Sequence, residues 1–326
     1  MVGRGINGLP RQSTFELTAV DSNSVKPSRS KAIVAFKSIG PILAASFFTA
    51  AIMYPLDLIR ALQMADAGST VKLSTIQLLS NFRSAHGIQG FFTQGLVPEL
   101  ARSTWMRFVK FGLFPIVHLG ITNGVSEAKG TSLSKAVSAI LTAFPEVISI
   151  MPLEIAKITL QLDSAKKFSN NMFKAMTAVF KERGISGFTV GYVGVQYRQA
   201  AWSAAYFVSL PYFEKSVNKI LNLAGVDPKV NSTAKYFSQL LSGFLAGVFG
   251  AFLNTPGDTI RTNIQKRVLG NIGGATDFLG VASEIYKSRG LGGLYAGIGF
   301  KSLHLGGGGA LMAFLLPFFK KIFEKL

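Results

Sequence analysis

Several kinds of residue are scarce or missing in this chain. None of its 326 residues is cysteine, which excludes disulfides, thiolate metal ligands and a thiol nucleophile. Charged residues make up only 15% of the sequence, whereas an average soluble protein has about 25%. The histidines, His86, His118 and His304, have no spacing typical of a metal site or a catalytic triad. These absences predict a protein that is not an enzyme and carries no metal or cofactor.

Apolar residues are abundant, and the few charges are mostly positive. A hydrophobic content of 48% excludes a disordered chain, and 34 Lys and Arg against 16 Asp and Glu give a net charge of +18. Such an excess is typical of proteins that bind nucleic acid, anionic lipid or anionic solutes. Nucleic-acid-binding proteins cluster their basic residues on one face, but Arg102, Arg198 and Lys301 stand singly inside apolar stretches. The pattern predicts small anionic metabolites and membrane lipids as partners, and no nucleic acid.

The first 31 residues differ from the rest of the chain. They are rich in Ser, Gly and Pro, with scattered basic residues and two acids, Glu16 and Asp21. A continuous apolar core is missing, so this segment does not resemble a secretory signal. We expect a disordered tail over residues 1–31, and a mitochondrial presequence is the alternative.

Six apolar segments follow the tail. Each approaches the length of about 20 residues that a helix needs to cross a bilayer. Alternate connections are long, amphipathic and basic, which is typical of short helices at a membrane surface. We therefore predict an all-α membrane protein with six transmembrane helices, three surface helices and both termini on one side. The six segments cover residues 36–54, 96–121, 133–151, 192–213, 234–255 and 299–318.

A short motif, Pro-x-acid-x-x-base, recurs at the end of the first, third and fifth segments. From average residue usage, about 0.2 matches are expected by chance in a chain of this length. The prolines are 97 and 104 residues apart (55 to 152, 152 to 256). The chain is therefore predicted to contain three repeats, over 32–130, 131–230 and 231–326, that form one membrane domain. The copies are Pro55-Leu56-Asp57-Leu58-Ile59-Arg60, Pro152-Leu153-Glu154-Ile155-Ala156-Lys157 and Pro256-Gly257-Asp258-Thr259-Ile260-Arg261.

A glycine element opens each even-numbered segment. It ends at Gly95, Gly191 and Gly297. Seven residues after these glycines stand Arg102, Arg198 and His304. Equivalent positions of three repeats lie at equivalent points around a pseudo-threefold axis, so we expect these three side chains to meet near the middle of the membrane.

The tripled motif, with Gln161 and Gln265 nine residues after the second and third prolines, resembles the mitochondrial carrier family over about residues 35–326. This resemblance implies a monomeric, multi-pass protein of the mitochondrial inner membrane with bound cardiolipin and alternating access to a central cavity. It also implies helix kinks at Pro55, Pro152 and Pro256 and a brace formed by the two glutamines. The matrix-side gate would consist of Asp57, Glu154 and Asp258 with Arg60, Lys157 and Arg261.

Elementary electrostatics agrees with a gate at this position. Ionisable groups at membrane depth are costly unless they are paired. Three acids and three bases at symmetric positions can close a ring of ion pairs, and desolvation offsets much of its Coulomb gain. Such a ring can therefore open and close with a small difference in free energy.

The sequence departs from the family pattern at positions that belong to both gates. Met64 stands where the other repeats have glutamine. The acids of the second, cytoplasmic-side network are replaced by proline in all three repeats, at Pro115, Pro211 and Pro317. We expect at most a partial substitute for that network, formed by His118, Glu214 and Lys320.

Arg102, Arg198, Gln199 and His304 occupy the family's substrate-contact positions, and Arg suits carboxylate or phosphate groups. Within the family, the closest resemblance is to the oxodicarboxylate carriers. It is carried by Arg107 and Lys110 in Thr104–Phe111, by Glu146 before Pro152, and by Lys301 with the glycines after His304. That subfamily has Arg where this chain has His304, and it has no basic residue where this chain has Arg102.

The substrate expected from this resemblance is 2-oxoglutarate or another oxodicarboxylate, together with dicarboxylates such as malate. Because basic groups are redistributed within the same cavity, phosphorylated three-carbon intermediates and tricarboxylates remain alternatives. A carrier-like membrane scaffold without transport is the alternative from a different functional class.

Overall fold

Long helices dominate this computed structural model, which describes residues 29–69, 72–125, 130–228 and 230–325. Most of the predicted tail, residues 1–28, lies outside the described residues, so neither a tail nor a presequence is tested there. The last three residues of the predicted tail belong to the first helix, which begins at Arg29. The helices are α1 (Arg29–Asp66), α2 (Thr75–Thr93), α3 (Leu96–Ile121), α4 (Ser132–Gln161), α5 (Met172–Arg183), α6 (Tyr192–Leu223), α7 (Ser232–Leu269), α8 (Phe278–Leu294) and α9 (Ile298–Lys325), with a 3₁₀ helix (Gly184–Thr189) after α5.

Polar caps begin five of these helices. At α2 the cap is a complete capping box, in which Ser74 and Gln77 exchange side-chain-to-backbone hydrogen bonds. The other four capping side chains each accept a hydrogen bond from the backbone N–H three residues on, which satisfies a donor that the helix leaves free. They are Thr131, Asn171, Asn231 and Asp277.

Three of the long helices do not end where the apolar segments end. The segments were expected to finish near Pro55, Pro152 and Pro256, but α1, α4 and α7 continue past these prolines to residues 66, 161 and 269. Hydropathy falls after each proline because charged and polar side chains follow, although the backbone stays helical. The charged motif is therefore part of the helix, and the prolines lie inside the helices rather than at their ends.

The six long helices pack side by side and form a closed ring. Each of α1, α3, α4, α6 and α7 packs against the next long helix, and α9 packs against α1. The helices α1, α4 and α7 also contact one another across the centre. This arrangement confirms the predicted fold of three two-helix repeats.

The outer surface has the character expected of a membrane protein. Large apolar side chains such as Ile148, Leu303 and Phe314 are more than 60% exposed. Helices α1, α4, α7 and α9 are long and apolar enough to cross a membrane. The other two, α3 and α6, have the length, but charged side chains such as Arg102 and Arg198 lower their hydropathy, and these face the interior.

The surface helices α2, α5 and α8 are attached by equivalent apolar clusters. Phe82, Val179 and Ile285 lie on the three surface helices, five residues before Gly87, Gly184 and Gly290. Each packs into a buried cluster with the long helix that precedes its surface helix, α1, α4 or α7 respectively. The three glycines all have positive φ, as do Gly95, Gly191 and Gly297, so the repeats share their turn geometry.

The close approach of α6 to α7 depends on Gly194. A Cβ atom added there would lie 2.6 Å from Arg261 Cβ and 3.2 Å from Arg261 Cα. We expect Gly194→Ala to lower the free energy of unfolding by about 1–3 kcal/mol, because overpacking displaces backbone.

Thermal unfolding of the purified protein tests this expectation. The matched control is Gly112→Ala on α3, where an added Cβ meets no heavy atom of the described residues within 4 Å. Alanine favours helices by about 1 kcal/mol over glycine, so the control should unfold at an unchanged or higher temperature. Equal behaviour of the two variants would contradict the role assigned to Gly194.

Candidate functional site

Six charged side chains of the tripled motif meet where α1, α4 and α7 converge. Lys157 Nζ lies 2.5 Å from Asp57 Oδ2, and Arg60 Nη1 lies 3.2 Å from Asp258 Oδ2. The third pair joins Arg261 to Glu154. Every pair links two different repeats, so the three pairs close a cycle. We call these side chains the charge ring; they are Asp57, Arg60, Glu154, Lys157, Asp258 and Arg261, and none is more than 8% exposed.

The spacing of the motif explains this geometry. An acid and a base three residues apart lie on the same face of a helix, and this face points to the centre in α1, α4 and α7. The acid and base of α1 pair with each other, and Arg261 Nη2 lies 3.2 Å from Asp258 Oδ1 on α7. Each repeat therefore presents an acid to one neighbour and a base to the other.

Glutamine side chains contact two of the three inter-repeat pairs. Gln161 Nε2 donates to Asp57 Oδ2 at 3.4 Å and to the Tyr54 hydroxyl at 3.1 Å. Gln265 Oε1 accepts from Arg261 Nη1 at 3.5 Å. At the third position Met64 is buried but offers no amide. Tyr54, which the sequence analysis did not single out, donates its hydroxyl proton to the Gln94 carbonyl.

A second set of charges lies directly against the ring. Arg102 Nε is 3.4 Å from Glu154 Oε2, and Arg198 Nη1 is 3.5 Å from Glu154 Oε1. Arg198 Nη1 is also 3.6 Å from Asp258 Oδ1, and Lys301 Nζ is 2.8 Å from Asp258 Oδ2. Arg102 and Arg198 therefore both contact Glu154, one of the acids of the charge ring.

Arg102 and Arg198 meet at Glu154, and His304 lies beside the same charges but makes no ion pair among the described residues. His304 Nδ1 lies 3.2 Å from the Met53 carbonyl of α1. Lys301, one helical turn earlier on the same helix, instead reaches the ring. The long lysine side chain spans the distance to Asp258, whereas the shorter imidazole is held against the backbone of α1.

Glu99 is the charged residue that the sequence analysis missed. Its carboxylate accepts from Arg102 Nε at 2.9 Å and from Arg102 Nη2 at 2.7 Å, and lies 2.8 Å from Lys157 Nζ. An acid inside an apolar segment, three residues before a base, was the available signal. Glu99, Arg102, Arg198 and Lys301 together are called the second charge layer.

Three further predicted site residues make no contact with the charge ring among the described residues. Gln199 Nε2 donates to Glu146 Oε1 at 2.5 Å, and the other carboxylate oxygen of Glu146 is buried without a hydrogen-bond partner among the described residues. Arg107 and Lys110 are half-buried on α3, with no ion pair in the part of the chain that the structure describes.

The expected substitute network at the opposite end does not form. The imidazole of His118 is fully buried against α4, where its Nδ1 lies 2.9 Å from Ser138 Oγ. Glu214 and Lys320 are exposed, and neither makes an ion pair within the described ranges. Prolines stand where the acids of this network would be, so His118 and Lys320 have no carboxylate at those positions to bind, and the charges at this end remain apart.

Comparisons with known proteins agree with the threefold architecture. A family model described as mitochondrial carrier protein matches three times, at residues 38–123, 128–220 and 232–326. A probable mitochondrial 2-oxodicarboxylate carrier of Dictyostelium discoideum is 26% identical to this chain. The aligned region spans 83% of this chain and 85% of that carrier. The mitochondrial 2-oxodicarboxylate carriers of Bos taurus and Homo sapiens are 29% and 27% identical, over 80% and 89% of this chain and 85% and 95% of their own lengths. Matches to all three repeats show that the chain belongs to the mitochondrial carrier family.

Proposed function

We propose that this carrier exchanges 2-oxodicarboxylates such as 2-oxoglutarate, and related dicarboxylates such as malate, by alternating access. The charge ring is the gate on the matrix side. Arg102, Arg198 and Gln199 bind the substrate, and Lys301, Arg107, Lys110 and His304 complete the positive surroundings.

Membership of the mitochondrial carrier family supports the broader part of this proposal, namely that the chain is a transporter. Mitochondrial carriers are transporters of the inner membrane. The described residues contain no group of three His, Asp or Glu side chains that could hold a metal ion. Relatives named 2-oxodicarboxylate carriers cover most of the chain, which supports the proposed substrate class.

The state of Arg198 is the observation that carries the proposal. The residue is only 8% exposed, yet its Nε and Nη2 have no hydrogen-bond partner among the described residues. Its contacts with the ring acids are long, at 3.5 and 3.6 Å. Buried donors without partners are costly, and the fork of Arg matches a carboxylate. A substrate carboxylate would satisfy both donors.

The same contacts suggest how binding is coupled to the gate. Arg198 touches Glu154 and Asp258, which belong to two different inter-repeat pairs of the ring. A carboxylate that draws Arg198 toward itself removes positive charge from both acids. This loosens a ring whose Coulomb gain is already offset by desolvation, so the gate opens more readily when substrate is bound.

Exchange in proteoliposomes tests the proposal. Vesicles preloaded with 2-oxoglutarate should take up labelled 2-oxoglutarate, and empty vesicles should take up little. Unlabelled 2-oxoadipate and malate should compete, whereas citrate and phosphoenolpyruvate should compete weakly. Stronger competition by citrate or phosphoenolpyruvate would favour a tricarboxylate or phosphorylated three-carbon substrate. Proper insertion without uptake of any of these anions would favour a scaffold.

A further inference from the structure

We propose that Glu99 determines the charge of the anion that this carrier accepts. By cancelling one of three positive charges in the second charge layer, it makes the site complementary to a dianion rather than a trianion. This inference rests on the proposed role of Arg102 and Arg198 in binding the substrate.

The buried charges of the charge ring and the second charge layer do not sum to zero. The charge ring holds three acids and three bases, so it is neutral. The second charge layer adds three bases but only one acid, which leaves an excess of two positive charges. No member of either set is more than 8% exposed, and each makes at least one ion pair with another member.

Neighbouring groups do not change this balance. Arg107 and Glu146 contribute one charge of each sign, His304 is counted as a neutral imidazole, and Lys110, which is only half-buried on α3, is not part of the buried set. Uncompensated charge in a buried site is costly. A bound dianion would bring the buried set to neutrality, whereas a trianion would leave one negative charge in excess.

Glu99 is not required by the threefold symmetry of the gate. It stands four residues after Gly95, and the equivalent positions after Gly191 and Gly297 hold Val195 and Lys301. One position thus carries an acid, an apolar residue and a base in the three repeats. This difference between the repeats lies in the second charge layer, where we propose that an asymmetric solute binds.

The contacts of Glu99 place it on the substrate-binding bases. It binds the Arg102 guanidinium through two parallel hydrogen bonds of 2.7 and 2.9 Å, the geometry by which a substrate carboxylate would bind. Arg198 on the facing helix has two free donors. An incoming anion therefore meets one open guanidinium and one that Glu99 already neutralises.

Glu99→Gln tests the inference, because the amide keeps the shape of the side chain and removes its charge. Ligand-induced shifts of the unfolding temperature are measured for a panel of dicarboxylates, tricarboxylates and phosphate esters. Charges a few Å apart interact strongly in such a site, so the ratio of trianion to dianion affinity should rise about tenfold or more. Glu99→Asp keeps the charge and should keep the wild-type ratio.

A double variant separates charge from local packing. Glu99→Gln combined with Arg102→Gln removes one charge of each sign, so the second layer keeps its excess of two. It should bind all anions more weakly but prefer dianions, as the wild-type protein does. A ratio that is unchanged in Glu99→Gln, or a wild-type preference for trianions, would overturn the inference. Binding of another dianion in place of 2-oxodicarboxylates would refute only the proposed function.

Discussion

Replacing Lys157 with Glu is expected to abolish exchange while the protein still inserts into the membrane. Lys157 Nζ lies 2.5 Å from Asp57 and 2.8 Å from Glu99, and the side chain is 2% exposed. The substitution would place a third carboxylate beside two others in a site that water hardly reaches. Breaking a buried ion pair costs about 3–5 kcal/mol, and adjacent like charges add to that cost. The gate would then be unable to close.

Reconstituted uptake measures this effect, with Lys174→Glu as the matched control. Lys174 is exposed on the surface helix α5 and makes no ion pair among the described residues. The control carries the same change of charge and should exchange at the wild-type rate. Lys157→Arg keeps the positive charge and should retain partial activity. Exchange by Lys157→Glu at the wild-type rate would show that the charge ring is not a gate.

The architecture and the ring geometry follow from repetition in the sequence. A single Pro-x-acid-x-x-base match carries little information, but three matches at the same place in the hydropathy pattern specify three equivalent helices. Because acid and base share one helix face, symmetry alone predicts that the acid of each repeat faces the base of another. The pairs Lys157–Asp57, Arg60–Asp258 and Arg261–Glu154 have this arrangement.

Hydropathy could not predict where the helices end. It reports how apolar a segment is, and the segments after Pro55, Pro152 and Pro256 are polar although they remain helical. Their charged side chains point inward and find partners, so the helix continues where the apolar pattern stops. A measure of transfer into lipid does not register charges that are buried against protein.

Symmetry also could not predict which side chain of the first turns of α9 contacts the charge ring. His304 is equivalent to Arg102 and Arg198 in sequence, but its imidazole is too short to match their reach. Lys301 and Glu99 make the contacts that complete the second layer. Both lie at a position where the repeats differ in sequence, so comparing repeats does not identify them.

Arg198→Ala is expected to weaken substrate binding by about 100-fold or more. Hydrogen bonds to charged groups contribute about 1.5–3 kcal/mol each, and Arg198 has two buried donors, Nε and Nη2, without partners in the described part of the chain. Loss of this side chain removes both donors and one positive charge. Titration with 2-oxoglutarate, followed by the shift in unfolding temperature, measures the change in affinity.

Arg198→Lys distinguishes the fork of the guanidinium from its charge. The lysine keeps the excess of two positive charges in the second layer, so the preference for dianions should persist. It cannot donate two parallel hydrogen bonds to one carboxylate, so affinity should fall about tenfold. Arg83, exposed on α2, provides matched controls in Arg83→Ala and Arg83→Lys, which should bind like the wild type. If Arg198→Ala also bound like the wild type, the open donors of Arg198 would not be the substrate site. Binding would then have to begin at Arg102, after displacement of Glu99.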